Sequence, residues 1–333
     1  MEKILLDLSV RYFHSVARTG SLSAAAEELH VAVSAVSRQI SNLEEALGLP
    51  LFERKPRGMQ LTGQGEILLA YANRNHLEIS NVIAEMRGLH TLQQKKISIA
   101  CPEGIAWELL PRVCAQFRSL HPGASFDLQV VDSSRASQLV KDGVADIALT
   151  FSLTPILGVE VTLSCEAPIY ALMKSDHVLA ATGYVSVLEL ADYPLALPYE
   201  DSTIRYLFDI ACHLQGVSIS PAYTSHSLGA IYNAVINSSD VIALSGIATV
   251  SGVIDRDGLV LVPIKDSQLR QRSLQVQIMS GRKFPALILD FLIHLEEKLI
   301  AAGSSPVHHS LTEGSRRKSG QSGFLRNARS RAR

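Results

Sequence analysis

Around residue 38 the chain carries side chains suited to a nucleic-acid surface. Ser34, Ser37, Arg38, Gln39 and Ser41 lie opposite the apolar series Val36, Ile40, Leu43 and Leu47, spaced by 4, 3 and 4. On a helix, that spacing gathers the apolar residues into one buried stripe and leaves the polar set on the other face. An Arg there can pair with guanine through two hydrogen bonds, and hydroxyl and amide groups bond phosphates or base edges. Further on, Arg54, Lys55 and Arg57 place three basic residues within four positions, with Pro56 and Gly58 shaping a turn. A basic turn of this kind suits phosphates or a minor groove. Catalytic chemistry finds little support. There is no Gly-rich phosphate loop, no zinc spacing and no Ser/His/Asp signal. The four Cys, at 101, 114, 165 and 212, form no CxxC pair. Cys101 beside Pro102 is a thin case for a nucleophile, because a lone Cys is usually buried and inert. No metal, no cofactor and no enzyme activity are therefore expected.

The elements that must hold these side chains follow from periodicity. Residues 4–19 place Ile4, Leu8, Tyr12 and Val16 at helical spacing, with a stop at Gly20. Ser21 sits where an N-cap belongs, ahead of a second helix over 22–30 whose Ala24, Ala25 and Ala26 allow a close neighbour. A break over 30–33 precedes a third helix over 34–47, ended by Gly48. Two helices joined by a tight connection form a helix-turn-helix pattern, and residues 49–62 read as a β-wing. Residues 63–92 form one long helix without Pro, striped by Ile67, Tyr71, Ile79, Val82, Ile83, Met86 and Leu89. Such a stripe needs a partner, which predicts a dimerisation helix and linker. From Lys96 onward short β-rich runs alternate with helices, which predicts an α/β region with largely parallel sheets.

Composition agrees. The chain has 333 residues, 47% apolar and 19% charged, with a net charge of −1. That excludes a wholly disordered chain and allows roughly two or three domains of ~100–200 residues. The charge is unevenly spread: residues 304–333 hold 7 Lys+Arg against 1 Asp+Glu, amid Ser and Gly. They read as a disordered basic tail. No apolar run reaches the ~18–20 residues a membrane span needs, and the first residues do not resemble a signal peptide, so a cytoplasmic location and no membrane partner are expected.

Residues 22–45, LSAAAEELHVAVSAVSRQISNLEE, with Leu47-Gly48, Leu51-Phe52-Glu53-Arg54 and Leu61-Thr62-Gly63-Gln64-Gly65, resemble the LysR-type bacterial transcriptional regulators. The resemblance continues through Leu110-Pro111, His121-Pro122, Asp146-Ile147-Ala148 and the run Leu190–Leu195, covering about residues 4–300. It implies a winged helix-turn-helix domain at 4–62, a linker helix at 63–92 and an effector-binding domain at 93–303. That last domain would resemble type 2 periplasmic binding proteins. Its first lobe would take 93–163 and 266–303, and its second lobe 164–265. The implied partners are a double-stranded DNA operator, a small-molecule effector, and copies of the chain in a homodimer or homotetramer. A regulator lacking an effector, a solute-binding module or an enzyme are the alternative readings.

In this frame the DNA-contacting set is Ser21, Ala32, Val33, Ser34, Ser37, Arg38, Gln39, Arg54, Lys55 and Arg57. Where the family commonly has Ser-Gln-Pro, this chain has Ala32-Val33-Ser34. The Ser N-cap is lost, Ser34 is expected to cap one position later, and Val33 replaces a base-reading Gln with a group that suits a thymine methyl. The cleft set, from loops after strands and helix N-termini, is Cys101, Pro102, Glu103, Trp107, Phe151, Ser152, Ser202, Thr203, His226, Ser227 and Gly246. Glu103 facing the cleft would repel an anion, and Trp107 would stack on a ring. Some regulators of the family sense oxidants through paired Cys. Cys165 and Cys212, both assigned to the second lobe, do not match that arrangement.

Overall fold

A computed structural model describes residues 8–56, 58–86, 96–151 and 156–301. The expected tail at 304–333, the end of the long helix beyond 86, Arg57 and Ser152 lie outside the described residues.

Helix α1 (Leu8–Thr19) buries Tyr12, Phe13 and Val16. Helix α2 (Leu22–Leu29) packs on it through Ala25 and Ala26, which are small enough to bring the backbones close. The Ser21 hydroxyl accepts from the Ala24 N–H at 3.4 Å, as its N-cap position predicts. The turn that follows is made by His30, whose φ of 57° lies in the left-handed region rarely adopted by a residue with a Cβ. Its N–H bonds the Ala26 and Glu27 carbonyls and closes α2. Helix α3 (Val33–Leu47) follows and buries Val36 and Ile40.

Strands β1 (Phe52–Lys55) and β2 (Gly58–Leu61) form an antiparallel hairpin. Two sets of bonds fix it. The Met59 N–H reaches the Gly20 carbonyl at 2.8 Å. The Leu51 and Phe52 N–H groups both donate to Glu44 Oε1, at 2.7 and 3.1 Å, tying the hairpin to the end of α3. The long helix α4 (Gly63–Met86) has 24 residues, roughly 36 Å. Thr62 caps it, accepting from the Gly65 N–H at 3.0 Å while donating to the Pro50 carbonyl at 2.7 Å.

The remainder forms two five-stranded sheets. In chain order the elements of the first are β3 (Lys96–Cys101), α5 (Glu103–Ala106), α6 (Leu109–Leu120), β4 (Ser125–Val130), α7 (Ser133–Lys141), β5 (Ile147–Thr150) and β6 (Val159–Glu166). The chain then builds the second sheet with β7 (Ile169–Lys174), α8 (Val187–Leu190), β8 (Leu195–Pro198), α9 (Thr203–Leu214), β9 (Tyr223–Ser225), α10 (Leu228–Ile236), β10 (Ile242–Gly246), α11 (Ile247–Val250) and β11 (Leu259–Pro263). It returns to the first with β12 (Ser273–Met279) and α12 (Ala286–Ala301). The orders are β4-β3-β5-β12-β6 and β11-β7-β10-β8-β9.

Both sheets are mixed, which corrects the expectation of largely parallel ones. β3 is parallel to β4 and β5, and β8 is parallel to β9 and β10. β12 runs antiparallel to β5 and β6, and β7 antiparallel to β10 and β11. The reversed strands are those that carry the chain between the sheets. The passages lie at Ala167-Pro168 and at residues 264–272. They are pinned together where the Ala167 N–H meets the Arg272 carbonyl at 2.9 Å. Because β6 stays in the first sheet, Cys165 pairs with Leu274 of β12 and is not a second-lobe residue as expected. The first core packs Phe117, Phe126 and Phe291. The second packs Phe208 and Leu207 against β7, β8 and β10.

Candidate functional site

The N-terminal face comes first. Helix α3 is held there by Val36 and Ile40 on the inside and by Glu44 at its far end. Val33, Ser34 and Arg38 are exposed, and Ser37 is half-buried. Val33 stands 44% exposed at the first turn, an apolar surface without a packing role. Ser34 does not cap the helix, contrary to expectation. The extended backbone at Ala32 starts α3 one residue earlier, and no side chain bonds the first N–H groups. Unsatisfied donors at a helix start suit a phosphate oxygen. Gln39 is turned toward α1, where its Oε1 accepts from the Ser9 hydroxyl at 3.4 Å. Ser21 is half-buried at the start of α2. On the hairpin, Arg54 and Lys55 are exposed, and Lys55 pairs with Glu53 at 2.7 Å.

The second site is a cleft of about 410 Å³ between the two sheets. It brings together Pro102, Glu103, Phe151, Ser202, Thr203 and His226 from the expected set. Glu103 does not project freely into it. Its carboxylate spans the lobes, accepting from the Leu228 N–H at 2.9 Å and the Ser227 hydroxyl at 3.4 Å, so it sits on the N-terminus of α10. The Ser202 hydroxyl caps α9, accepting from the Ile204 N–H at 3.2 Å. His226 stacks on Tyr199 with ring centroids 4.0 Å apart and lies 3.9 Å from Asp201.

Other expected residues fall elsewhere. Trp107 does not line the cleft: its ring meets Tyr232 edge-on at 4.8 Å and joins the apolar packing around α10. The short α5 turns it away from the opening. Cys101 is fully buried, and burial pushes its thiol up to about 12. Cys114 is pushed up to about 12 and Cys212 to about 11 by the same cause, so these thiols stay protonated. Ser227 stands beside the cleft as the cap of α10, accepting from the Ala230 N–H at 3.4 Å. Gly246 sits under Arg272, where a Cβ would come within 2.5 Å of Nη2.

Arg272, Asp132, Ser133 and Thr249 also line the cleft and escaped the sequence reading. Asp132 caps α7 by accepting from the Arg135 N–H at 2.8 Å, and Ser133 Oγ accepts from the Phe151 N–H at 3.0 Å. Arg272 is 3% exposed. Its Nε donates to the Ala167 carbonyl at 2.9 Å, and its guanidinium lies 4.0 Å above the Phe151 ring. Burial pulls it down to about 9, which leaves it cationic at neutral pH. In the sequence it is one of three basic residues in the returning passage, with Lys265 and Arg270.

Comparison with known proteins adds two family matches. Residues 9–66 match the description "Bacterial regulatory helix-turn-helix protein, lysR family", and residues 90–300 match "LysR substrate binding domain". The chain is similar to the HTH-type transcriptional regulator MetR of Escherichia coli, 28% identical over 293 residues, 82% of this chain and 88% of that one. It is 28% identical over 260 residues to a probable nitrogen assimilation transcriptional activator of Synechococcus elongatus, covering 77% and 84%. Among solved structures, ArgP of Mycobacterium tuberculosis shares the fold with a TM-score of 0.61 at 20% identity, covering 90% of this chain and 98% of that one. A full-length OxyR variant of Pseudomonas aeruginosa gives 0.58 at 19%, covering 90% and 97%.

Proposed function

The chain belongs to the LysR family of DNA-binding transcriptional regulators, and from that premise we propose that it binds an operator through α3 and the hairpin, under control of a small molecule in the cleft. The observation that carries this reading is the face of α3, where Arg38, Ser34 and Val33 stand exposed opposite a buried stripe. We assign residues 4–62 to DNA binding, 63–92 to the linker and dimerisation helix, and 93–303 to effector binding, with the basic tail beyond. The exposed Ile67, Tyr71, Val82 and Met86 on α4 support pairing of two copies as a homodimer, or as the unit of a homotetramer. Paired copies present two reading helices to a two-fold operator. No described helix is long and apolar enough to cross a membrane. A cytoplasmic, nucleoid-associated location goes with operator binding. No catalytic step is assigned to it.

Genomic footprinting with the purified full chain tests the reading. Discrete protected promoter sites, partly palindromic, are expected; protection no better than on scrambled DNA overturns it. Val33 gives a finer test. Val33→Gln restores a side chain able to bond adenine in place of one suited to a thymine methyl. The preferred base opposite α3 is expected to change in a binding-site selection, by about 5-fold or more, a discrimination of ~1 kcal/mol. An unchanged preference removes Val33 from the reading surface.

A further inference from the structure

The charges around the cleft do not balance in the usual way. Arg272 is almost wholly buried on its wall, with Nε spent on the Ala167 carbonyl and its flat face on Phe151. Among the described residues, no carboxylate lies within ion-pair distance of its guanidinium. Burying such a group without a counter-ion is costly, and an apolar residue of similar size would avoid the cost. The cleft also holds three carboxylates that are engaged elsewhere: Glu103 on the α10 N-terminus, Asp132 on the start of α7, and Asp201 at the rim beside His226. Glu103 occupies the helix end that an incoming anion would otherwise use. One uncompensated cation therefore faces an open space bordered by acids.

We propose that the cleft's ligand is a small organic monocarboxylate, its carboxylate on the Arg272 guanidinium and the rest of the molecule uncharged or cationic toward Glu103, Asp132 and Asp201. This rests on the cleft being the effector site, and it specifies what that site takes. A guanidinium offers a carboxylate two parallel N–H donors, and Phe151 holds the fork flat. A dianion such as phosphate or a dicarboxylate would add a second negative charge where only acids remain to meet it. The position also suits signalling. Arg272 bonds Ala167 through both its carbonyl and its Nε, at the point where the two passages between lobes run side by side. A charge bound there favours whichever lobe arrangement places the guanidinium best.

Thermal melting of the full chain provides the test. The probes are acetate, benzoate and the amino acids other than Asp and Glu, each beside its primary amide, together with succinate, inorganic phosphate and benzylamine. At least one monocarboxylate is expected to raise the melting temperature by roughly 5 °C at 100 times its Kd. Its amide, succinate and phosphate should produce no comparable rise. Arg272→Gln should weaken that monocarboxylate by about 30-fold or more, the usual loss when one member of a buried charge pair is removed. Should Arg272→Gln fail to fold, Gly246→Ala serves, because its methyl displaces Nη2 while keeping the charge; a loss of about 10-fold or more is expected. Equal binding of acid and amide, preference for phosphate or succinate, or affinity within 3-fold in both variants overturns the monocarboxylate assignment. If such binding still disappears in Phe151→Ala, the cleft reading survives alone. No rise with any probe overturns both.

Discussion

Arg38→Ala is expected to reduce operator binding by about 5- to 150-fold per half-site while leaving the melting temperature unchanged. The range corresponds to the ~1–3 kcal/mol that a bidentate Arg–guanine contact contributes to base discrimination. Arg38 is exposed on α3, opposite Val36 and Ile40, so its truncation removes no core packing. Two copies on a two-fold site would multiply the loss. Fluorescence anisotropy with the footprinted operator and a scrambled duplex separates two outcomes. A base contact lowers the ratio of specific to non-specific affinity. A phosphate contact lowers both affinities together and reduces the salt slope by about 1. An unchanged ratio and an unchanged slope would take Arg38 out of the interface.

Gly65→Ala should destabilise the DNA-binding half by about 3 kcal/mol, at the upper end of what forced overpacking usually costs. The sign is informative. In an ordinary helix position the same change stabilises by ~1 kcal/mol. Here a Cβ would stand 2.2 Å from the Leu51 carbonyl oxygen and 2.8 Å from Leu61 Cδ2. The carbonyl is backbone, and its neighbours are held by Glu44 and Thr62, so the contact cannot be relieved by one rotamer change. Calorimetry should show an earlier transition for the N-terminal part, with little change in the transition of the two-sheet domain. A single transition at the original temperature would mean that α4 shifts to make room.

The DNA-binding half was the more legible part of the sequence. Apolar spacing with the stops at Gly20 and Gly48 and the cap at Ser21 locates α1, α2 and α3, because each helix buries a single stripe in one small core. The basic run and its turn give the hairpin. What periodicity could not show was how neighbours share polar groups. Gln39 has the chemistry of a base reader, yet it faces Ser9 across to α1. Glu44 looks like solvated helix surface, yet its carboxylate takes two backbone N–H groups of the hairpin. In the two-sheet domain the order of strands and helices was readable, whereas strand direction was not. A run such as Leu274–Met279 has the same composition whether it enters a sheet forward or reversed. Arg272 was hidden for a related reason. Among the described residues no acid pairs with it, which is a property of the folded surroundings and not of the residues next to it in the chain. Trp107 departs from expectation because a lone large ring near a loop reads equally well as a stacking surface or as packing, and Tyr232 decides the matter.

The attachments of α4 join two separate parts of the chain. On one side, His14 Nε2 lies 2.8 Å from Asn73 Oδ1, and Gly65 sits against the backbone at Leu51. On the other side, Glu66 pairs with Lys141, the Asn73 amide reaches the Lys141 carbonyl at 3.4 Å, and Arg74 reaches the Ser280 carbonyl at 3.3 Å. Asn73 thus grips both neighbours from a single position. The N-terminal helices and the first sheet are fastened to one shaft, α4. Any shift of α4 is therefore passed to the N-terminal helices and to the first sheet together.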